Sequence, residues 1–381
     1  MKYHLSKPSL DKKELYGITK ILNKPWLING PTVKKFELNF KKKFNYFHCT
    51  TVSSCTAGLQ LVLQSLNLKK NDEVILTSFN FISAGLAILQ QGLKPVFVDL
   101  EEKKFDISLK SLKKKINKRT RVIILTHFNG YLQPVEKIKN ITKKFKNLQI
   151  IEDCAHVLGS KDNKKNFVGN FSYASVFSFG PTKMITTAGM GGMISSKDKS
   201  LIENINKLKS YGMDKSSYDR KNKNKPWIYR INQLGNNFRM TEIQAAVGIE
   251  QLKKINTFIS KRLFLVNLYK KKLASVSQIS FQNSDYTSRP AIIYFVITLK
   301  TQKIRDNLAN FLRKKNIYTS VHWDPPLSEH HMFKKYFKKI TTINSKKLSS
   351  KIISLPLHTM MLRKDVIKIT ESIKNYFNAK N

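Results

Sequence analysis

Between residues 50 and 200 the chain alternates two kinds of stretch. Short apolar and β-branched runs stand at 73–78 (EVILTS), 94–100 (KPVFVDL), 121–128 (RVIILTHF), 149–154 (QIIEDC), 172–179 (SYASVFSF) and 191–196 (GGMISS). Between the earlier ones, near 56–67, 82–92, 108–117 and 134–146, apolar positions recur every three or four residues, the spacing of amphipathic helices. Continuous apolar strands separated by helices predict a mostly parallel sheet covered on both faces. In such a sheet, ligands sit beyond the carboxyl ends of the strands.

After residue 240 the pattern changes. The stretch MTEIQAAVGIEQLKKINTFISKRLFLVNLYKKKL, over about 240–275, reads as one long helix or a bent pair. Beyond it, 291–299 (AIIYFVITL), 318–323 (YTSVHW) and 351–357 (KIISLPL) are predicted strands, and 302–315 and 363–377 are predicted helices. That tail predicts a smaller α/β domain. The expected division is a large domain over 1–250 and a small C-terminal one over 251–381.

Composition narrows the picture. A chain of 381 residues with 41% apolar side chains can bury a large core. No run of about 18 apolar residues suits a membrane span, and the opening MKYHLSKPSLDKKEL lacks the apolar stretch of a secretory signal. The expected location is the cytoplasm. Three scattered cysteines, Cys49, Cys55 and Cys154, make neither a disulfide framework nor a zinc pair. The formal charge of +44 would attract any phosphate, nucleic acid included. Only ten of the 69 basic residues are arginine, however, and the lysines are spread along the whole chain without one dense arm. An AT-biased genome would colour a surface this way, so a nucleic-acid-binding role is disfavoured.

Three stretches carry candidate chemistry. In VSSCTAGLQLVLQSL (52–66), Ser54, Cys55 and Thr56 open a helix whose free N–H groups suit a phosphate; the plain alternative is an N-cap. In IIEDCAHVLGS (150–160), Asp153 ends a strand where a carboxylate can meet a ligand cation, and His156 follows three residues later. The alternatives are a capping aspartate and a core histidine; a metal site would need more ligands than this pair, and none is expected. In VFSFGPTKMITTAGMGGMI (176–194), Lys183 follows Ser178 and a Gly-Pro-Thr turn, just before a glycine-rich loop. A lysine amine of lowered pKa in that place can form a Schiff base with an aldehyde, though most lysines of this chain are solvated surface charges. One ligand would use all three stretches: an aldehyde with a phosphate tail and a ring nitrogen, pyridoxal 5′-phosphate. Lys183 would take the aldehyde, Asp153 the ring nitrogen, Ser178 and the 54–56 turn the phosphate, and Phe81 could lie against the ring.

These blocks are similar to those of the DegT/DnrJ/EryC1/StrS family of sugar aminotransferases, of the aspartate-aminotransferase-like fold type I. PWLINGPTVKKFELNF resembles the family's opening block, SSCTAGLQLVL its phosphate turn, IEDCAHVLGS its aspartate block and FSFGPTKMITTAGMGG its lysine block. LGNNFRMTEIQAAVGIEQL and SLPLHTMML resemble later blocks, so the likeness runs nearly end to end. The resemblance implies cofactor attachment at Lys183, ring contacts from Asp153, Phe81 and His156, and phosphate contacts from Ser178, Cys55 and Thr56. It also implies that Asn237 reaches the cofactor phosphate of a neighbouring subunit, in a homodimer with shared sites. His322 and Arg239 are candidates for the substrate side; a packed loop histidine and an interface ion pair are the alternatives. The chain departs from the family pattern at Cys55, where glycine is usual, at Met190, where an acidic residue is usual, and at Asn236, where tyrosine is common. A positive φ at position 55 would strain a cysteine. His156 stands where glutamine is usual, as in some members of inosose type.

The expected function is therefore transfer of an amino group from glutamate to a keto-sugar linked to a nucleotide, for amino-sugar and surface-polysaccharide biosynthesis. The alternatives are another reaction on the same scaffold, inosose-type amination or deoxysugar dehydration, and a basic nucleic-acid-binding regulator. The dehydrating branch replaces the lysine with histidine, and Lys183 argues against it here.

Overall fold

The computed structural model describes residues 2–336 and 342–379. The main sheet contains β1 (His48–Val52), β2 (Glu73–Thr77), β3 (Lys94–Val98), β4 (Thr120–Thr126) and β5 (Gln149–Asp153). After a two-residue strand of another sheet, β6 (Lys161–Asp162), it continues with β7 (Ala174–Ser178) and β8 (Gly192–Ser196). The spatial order is β1-β8-β7-β5-β4-β2-β3. Every pairing is parallel except the two made by β8, which runs against both β7 and β1. The expected mostly parallel α/β sheet is present.

Helices cover both faces. They are α1 (Lys12–Leu22), α2 (Pro31–Phe44), α3 (Cys55–Ser65), α4 (Ile82–Gln90), α5 (Leu109–Lys115), α6 (Val135–Thr142), α7 (Lys199–Leu208), the short α8 (Ser217–Arg220) and α9 (Glu242–Leu273). Alternation along β4 shows the two layers: Val122 and Ile124 pack with Leu59 of α3 and Ile88 of α4. Ile123 and Leu125 pack with Leu112 of α5 and Ile138 of α6. Beside that second layer, Phe36 and Phe40 of α2 meet Phe177 of β7 and Ile255 of α9.

The tail forms a second, antiparallel sheet. β9 (Ile279–Phe281) is followed by β10 (Thr287–Arg289), which pairs with β6, and then by β11 (Phe295–Leu299). After α10 (Gln302–Lys314), α11 (His331–Lys334) and α12 (Ile343–Ser349) come β12 (Ile352–Leu355) and α13 (Arg363–Asn378). The order is β12-β11-β9. The stretch over 240–275 is one helix of 32 residues. Its first half gives Leu252, Ile255 and Ile259 to the core under the main sheet. Its second half gives Leu265, Tyr269 and Leu273 to the core around β11 and β12.

Two strand expectations require correction. Residues 318–323 form no strand: their backbone pairs with the small sheet at a single bridge, Ser320 to Ser354. Pro325 and Pro326 follow at once and have no N–H with which to continue a ladder. The strand expected from 291 starts at Phe295. The N–H groups of Ile293 and Tyr294 are taken by Asn129 Oδ1, and that of Ala291 by Ser160 Oγ, so this part of the backbone is bonded to side chains of the large sheet's loops.

Candidate active site

Strand register builds the site. Thr126 lies beside Asp153, Asp153 beside Val176, and Ser178 beside Gly192, so the carboxyl ends of β4, β5 and β7 come level. Above them opens a cavity of ≈ 280 Å³. Its wall includes Ser54, Cys55 and Thr56, Phe81, Asp153, His156, Ser178, Lys183 and His322. Nine of the eleven candidate residues thus converge on one space.

Helix α3 starts at the rim. Ser54 caps it, its Oγ accepting from Ala57 N at 3.1 Å. The cap reading of Ser54 holds, and it is compatible with a ligand, because a helix start leaves further N–H groups without intrahelical partners. Cys55 is the first helical residue and does not have a positive φ, so the departure from glycine carries no backbone strain. Glycine is needed instead at 192: a Cβ there would lie 2.9 Å from Cys55 N and from Phe177 O.

Asp153 ends β5 and is buried. Its Oδ1 accepts from Ala155 N at 3.0 Å and from the Cys55 thiol at 3.8 Å. Burial raises its pKa, opposed by the Ala155 bond and by Lys183. The thiol of Cys55 is pushed far up by burial and by Asp153, so it is a donor rather than a thiolate. Lys183 follows the turn after β7, its N–H bonded to Gly180 O at 3.1 Å. Burial lowers its pKa, with Cys55 and Asp153 pulling the other way. The amine is thus held between a tendency to lose its proton and a carboxylate that favours keeping it.

His156 is buried, and its Nδ1 has no hydrogen-bond partner. Burial, then Lys183 and His322, hold its pKa well below the ordinary value, so the imidazole is neutral. His322 bonds through Nδ1 to Ser354 Oγ at 2.8 Å, and burial and Lys183 bring its pKa down to about 4. Phe81 precedes α4 and stays 53% exposed on the cavity wall, a free aromatic face.

Asn237 and Arg239 are not brought to the cavity of their own chain. They bond to each other, Arg239 Nε and Nη2 donating to Asn237 Oδ1 at 3.1 and 2.9 Å, and the guanidinium lies over the Tyr211 ring. Asn236 donates from Nδ2 to Gln64 Oε1 on α3, and Met190 is exposed at the cavity rim.

Sequence reasoning missed Tyr294 and Trp323, which line the cavity with His322 and His156. Their rings form one cluster: Tyr294 is 4.7 Å from His322, and Trp323 is 5.7 Å from His156. No local motif marks either residue. Among the described residues, the group with metal-ligand spacing is His127, Glu152 and Cys154, beneath Asp153. Its ligand atoms are already engaged: Gln133 N donates to His127 Nδ1, so Nε2 carries the proton and donates to Glu152 Oε2 at 2.9 Å.

The donor set fits pyridoxal phosphate. A partly desolvated amine, a buried carboxylate with one oxygen committed, an unpartnered imidazole nitrogen and a helix start surround one cavity. Comparison with known proteins agrees. The model of the DegT/DnrJ/EryC1/StrS aminotransferase family matches residues 8–374. A GDP-perosamine synthase of Escherichia coli O157:H7 is 33% identical over 389 residues, covering 100% of both chains. The spore coat polysaccharide biosynthesis protein SpsC of Bacillus subtilis is 29% identical, covering 97% of this chain and 96% of the other. Among solved structures, the Helicobacter pylori aminotransferase PseC, involved in pseudoaminic acid biosynthesis, superposes with a TM-score of 0.91, 26% identity and full coverage of both chains.

Proposed function

The chain belongs to the DegT/DnrJ/EryC1/StrS aminotransferase family, a family that works with pyridoxal phosphate, and on that premise we propose that it moves an amino group from glutamate to a nucleotide-linked keto-sugar. The observation that carries the reading is the convergence of Lys183, Asp153 and the start of α3 on one cavity. The relative named for GDP-perosamine supports a nucleotide-linked amino sugar as the product type, a 4-keto-6-deoxy or 3-keto sugar being the acceptor.

The cofactor, when bound, supplies an aldehyde that takes up the amino group and a ring that accepts electrons from the reacting carbon. The protein's part is positioning and proton transfer. Asp153, with Oδ1 fixed by Ala155 and Cys55, presents its other oxygen to a ring cation and would favour its protonated form. Ser178, Thr56 and the N–H groups at the start of α3 hold the phosphate, helped by the helix dipole. Neutral His156 offers the unpartnered Nδ1 to a ring oxygen. Lys183, whose pKa burial lowers, would serve as the base and acid that moves the proton on and off the reacting carbon when the cofactor is bound. His322, uncharged above about pH 4, faces the same space from the segment beside β12 and suits a sugar hydroxyl.

We assign Asn237 and Arg239 to the cavity of a second copy. Both stand outside their own cavity, on a segment whose Trp227, Ile228, Tyr229, Ile231 and Leu234 are exposed. An apolar strap of that kind suits a subunit interface. Among the described residues no helix is long and apolar enough to cross a membrane. The cytoplasm is the proposed location, in keeping with the free thiols of Cys49, Cys55 and Cys154.

The test is to mix the cofactor-loaded protein with glutamate alone. The expected outcome is conversion of the bound cofactor from its aldehyde to its amine form, with one 2-oxoglutarate released per site, and reversal on adding a nucleotide-linked keto-sugar. Lys183→Ala abolishes both phases. No conversion with glutamate or any other amino acid would eliminate the transaminase reading; loss of a sugar hydroxyl without amine gain would favour dehydration.

A further inference from the structure

A second basin, of ≈ 320 Å³, lies away from the active cavity. It is bounded by the loop after β3, by β9 and β11 of the small sheet, and by α12. Five lysines line it, Lys103, Lys104, Lys300, Lys347 and Lys351, against a single carboxylate, Glu102. Phe105, Phe281, Leu299 and Leu348 supply its apolar surface, and Ser280, Asn283 and Asn344 add neutral polar groups.

A lysine-rich depression means little by itself in a chain with a formal charge of +44. What distinguishes a site is how its lysines are balanced, and another basin shows the balanced case. The one between α2 and α7 also presents five lysines (Lys34, Lys207, Lys209, Lys215 and Lys223), but Glu37, Glu203, Asp214 and Asp219 stand among them. There the protein supplies its own counter-charges, and Lys34 bonds Asp219 at 2.7 Å. In the first basin the one described ion pair of a lining lysine is Lys104 with Asp285, at 3.2 Å and exposed on both sides. Lys300, Lys347 and Lys351 line the basin beside Phe105 and Phe281, and among the described residues none of the three makes an ion pair. Like charges gathered in a concave, partly apolar space repel one another, and an anion of matching size relieves that repulsion. The volume falls at the lower end of the ~300–1,000 Å³ common for small-molecule sites.

We propose that this basin is a second anion site, separate from the active cavity, that takes a diphosphate carrying a planar head, of which a nucleoside diphosphate is the type. The lysines receive the phosphates. Phe281, partly buried beside Phe295, offers the face on which a base can lie. The site also touches the catalytic region. Phe105 stacks on Phe128 at 5.4 Å and 14°, and Phe128 lies 5.6 Å from His156 and 5.0 Å from Trp323. A ligand wedged against Phe105 therefore presses on a ring stack that touches His156 and Trp323, two residues of the active-cavity wall.

The test is calorimetric titration of the cofactor-loaded protein with inorganic pyrophosphate and, separately, with GDP. Both are expected to bind, and GDP more tightly than pyrophosphate. Lys300→Glu/Lys347→Glu is expected to weaken pyrophosphate roughly tenfold or more, and Lys103→Gln/Lys351→Gln to weaken it in the same direction. Phe281→Leu should remove the advantage of GDP while sparing pyrophosphate. The control Lys113→Glu/Lys114→Glu, an equal charge change on the exposed side of α5, should leave both unchanged. GDP entering the active cavity would appear as an additional step that survives in Lys300→Glu/Lys347→Glu. The proposal is overturned if pyrophosphate does not bind, if the basin variants titrate like the unmodified protein, or if the α5 control loses as much affinity. These outcomes do not depend on whether glutamate converts the cofactor, so this proposal and the transaminase reading can fail separately.

Discussion

Asp106 is a carboxyl that folding makes less acidic. It is 8% exposed, and burial raises its pKa to about 6, with Lys104 and Lys137 pulling it down and Asp285 and Glu101 pushing it up. A carboxyl whose folded pKa is raised stabilises the fold below its unfolded value of 3.8, and that contribution is lost as pH rises through about 6. Asp106→Asn cannot ionise. It is expected to melt with the unmodified protein at pH 4 and above it at pH 7.5, by no more than ~3 kcal/mol for two units of pKa. Equal melting at both pH values would contradict the burial argument. The same scale shows what a motif can carry. Lys183, Asp153 and Ser178 were legible because each ends a strand or follows one at a glycine-marked turn, and the ends of parallel strands come level in space. Tyr294 and Trp323 were not legible. Read as a strand, 318–323 would send His322 and Trp323 to opposite faces, yet both reach the cavity, because the segment leaves the ladder after Ser320.

At the scale of elements, α2 and α9 depend on one another through a single side chain. Glu242, the second residue of the TE pair in NNFRMTEIQ, is buried at the start of α9. Its carboxylate accepts from Gly30 N at 2.7 Å, Thr32 N at 2.7 Å and Val33 N at 3.1 Å, which are the orphan donors at the start of α2. Gly30 itself has no side-chain cap, and a Cβ there would collide with Trp26 Cδ1. A charged acceptor with three donors at a helix start makes a large local contribution. Glu242→Ala is expected to cost about 3 kcal/mol in urea unfolding, with Glu242→Gln in between. A loss under ~1 kcal/mol would show water replacing the cap. Along the chain PWLINGPT and MTEIQ are two separate blocks; the fold makes them two halves of one contact, more than 200 residues apart. The helix also spans the division expected near residue 250. Because α9 feeds one core up to Ile259 and another from Leu265, we propose that the boundary between large and small units falls within this helix rather than in a linker.

At the scale of the whole molecule, the proposed sharing of sites between two copies has a direct consequence. Lys183→Ala and Asn237→Ala chains would each be deficient alone. Co-expressed, half of the dimers would be mixed, and each mixed dimer would hold one site with both residues intact. The expected activity is about one quarter of the unmodified enzyme, from the pairing arithmetic of a two-fold dimer. Activity no higher than the mean of the two separate variants would place Asn237 outside the partner's site. The sequence alone determined the alternating architecture, the parallel sheet and the cluster of Lys183, Asp153, His156 and the α3 turn, because side-chain period and strand-end placement are local properties that recur along the chain. It also settled that the positive charge is spread rather than gathered in one arm. Only the tertiary structure decided which of the described lysines make no ion pair, that Tyr294 and Trp323 line the cavity, and that Glu242 caps a distant helix. Each of these depends on residues far apart in the chain meeting at a fixed distance, and no local pattern encodes a meeting of that kind.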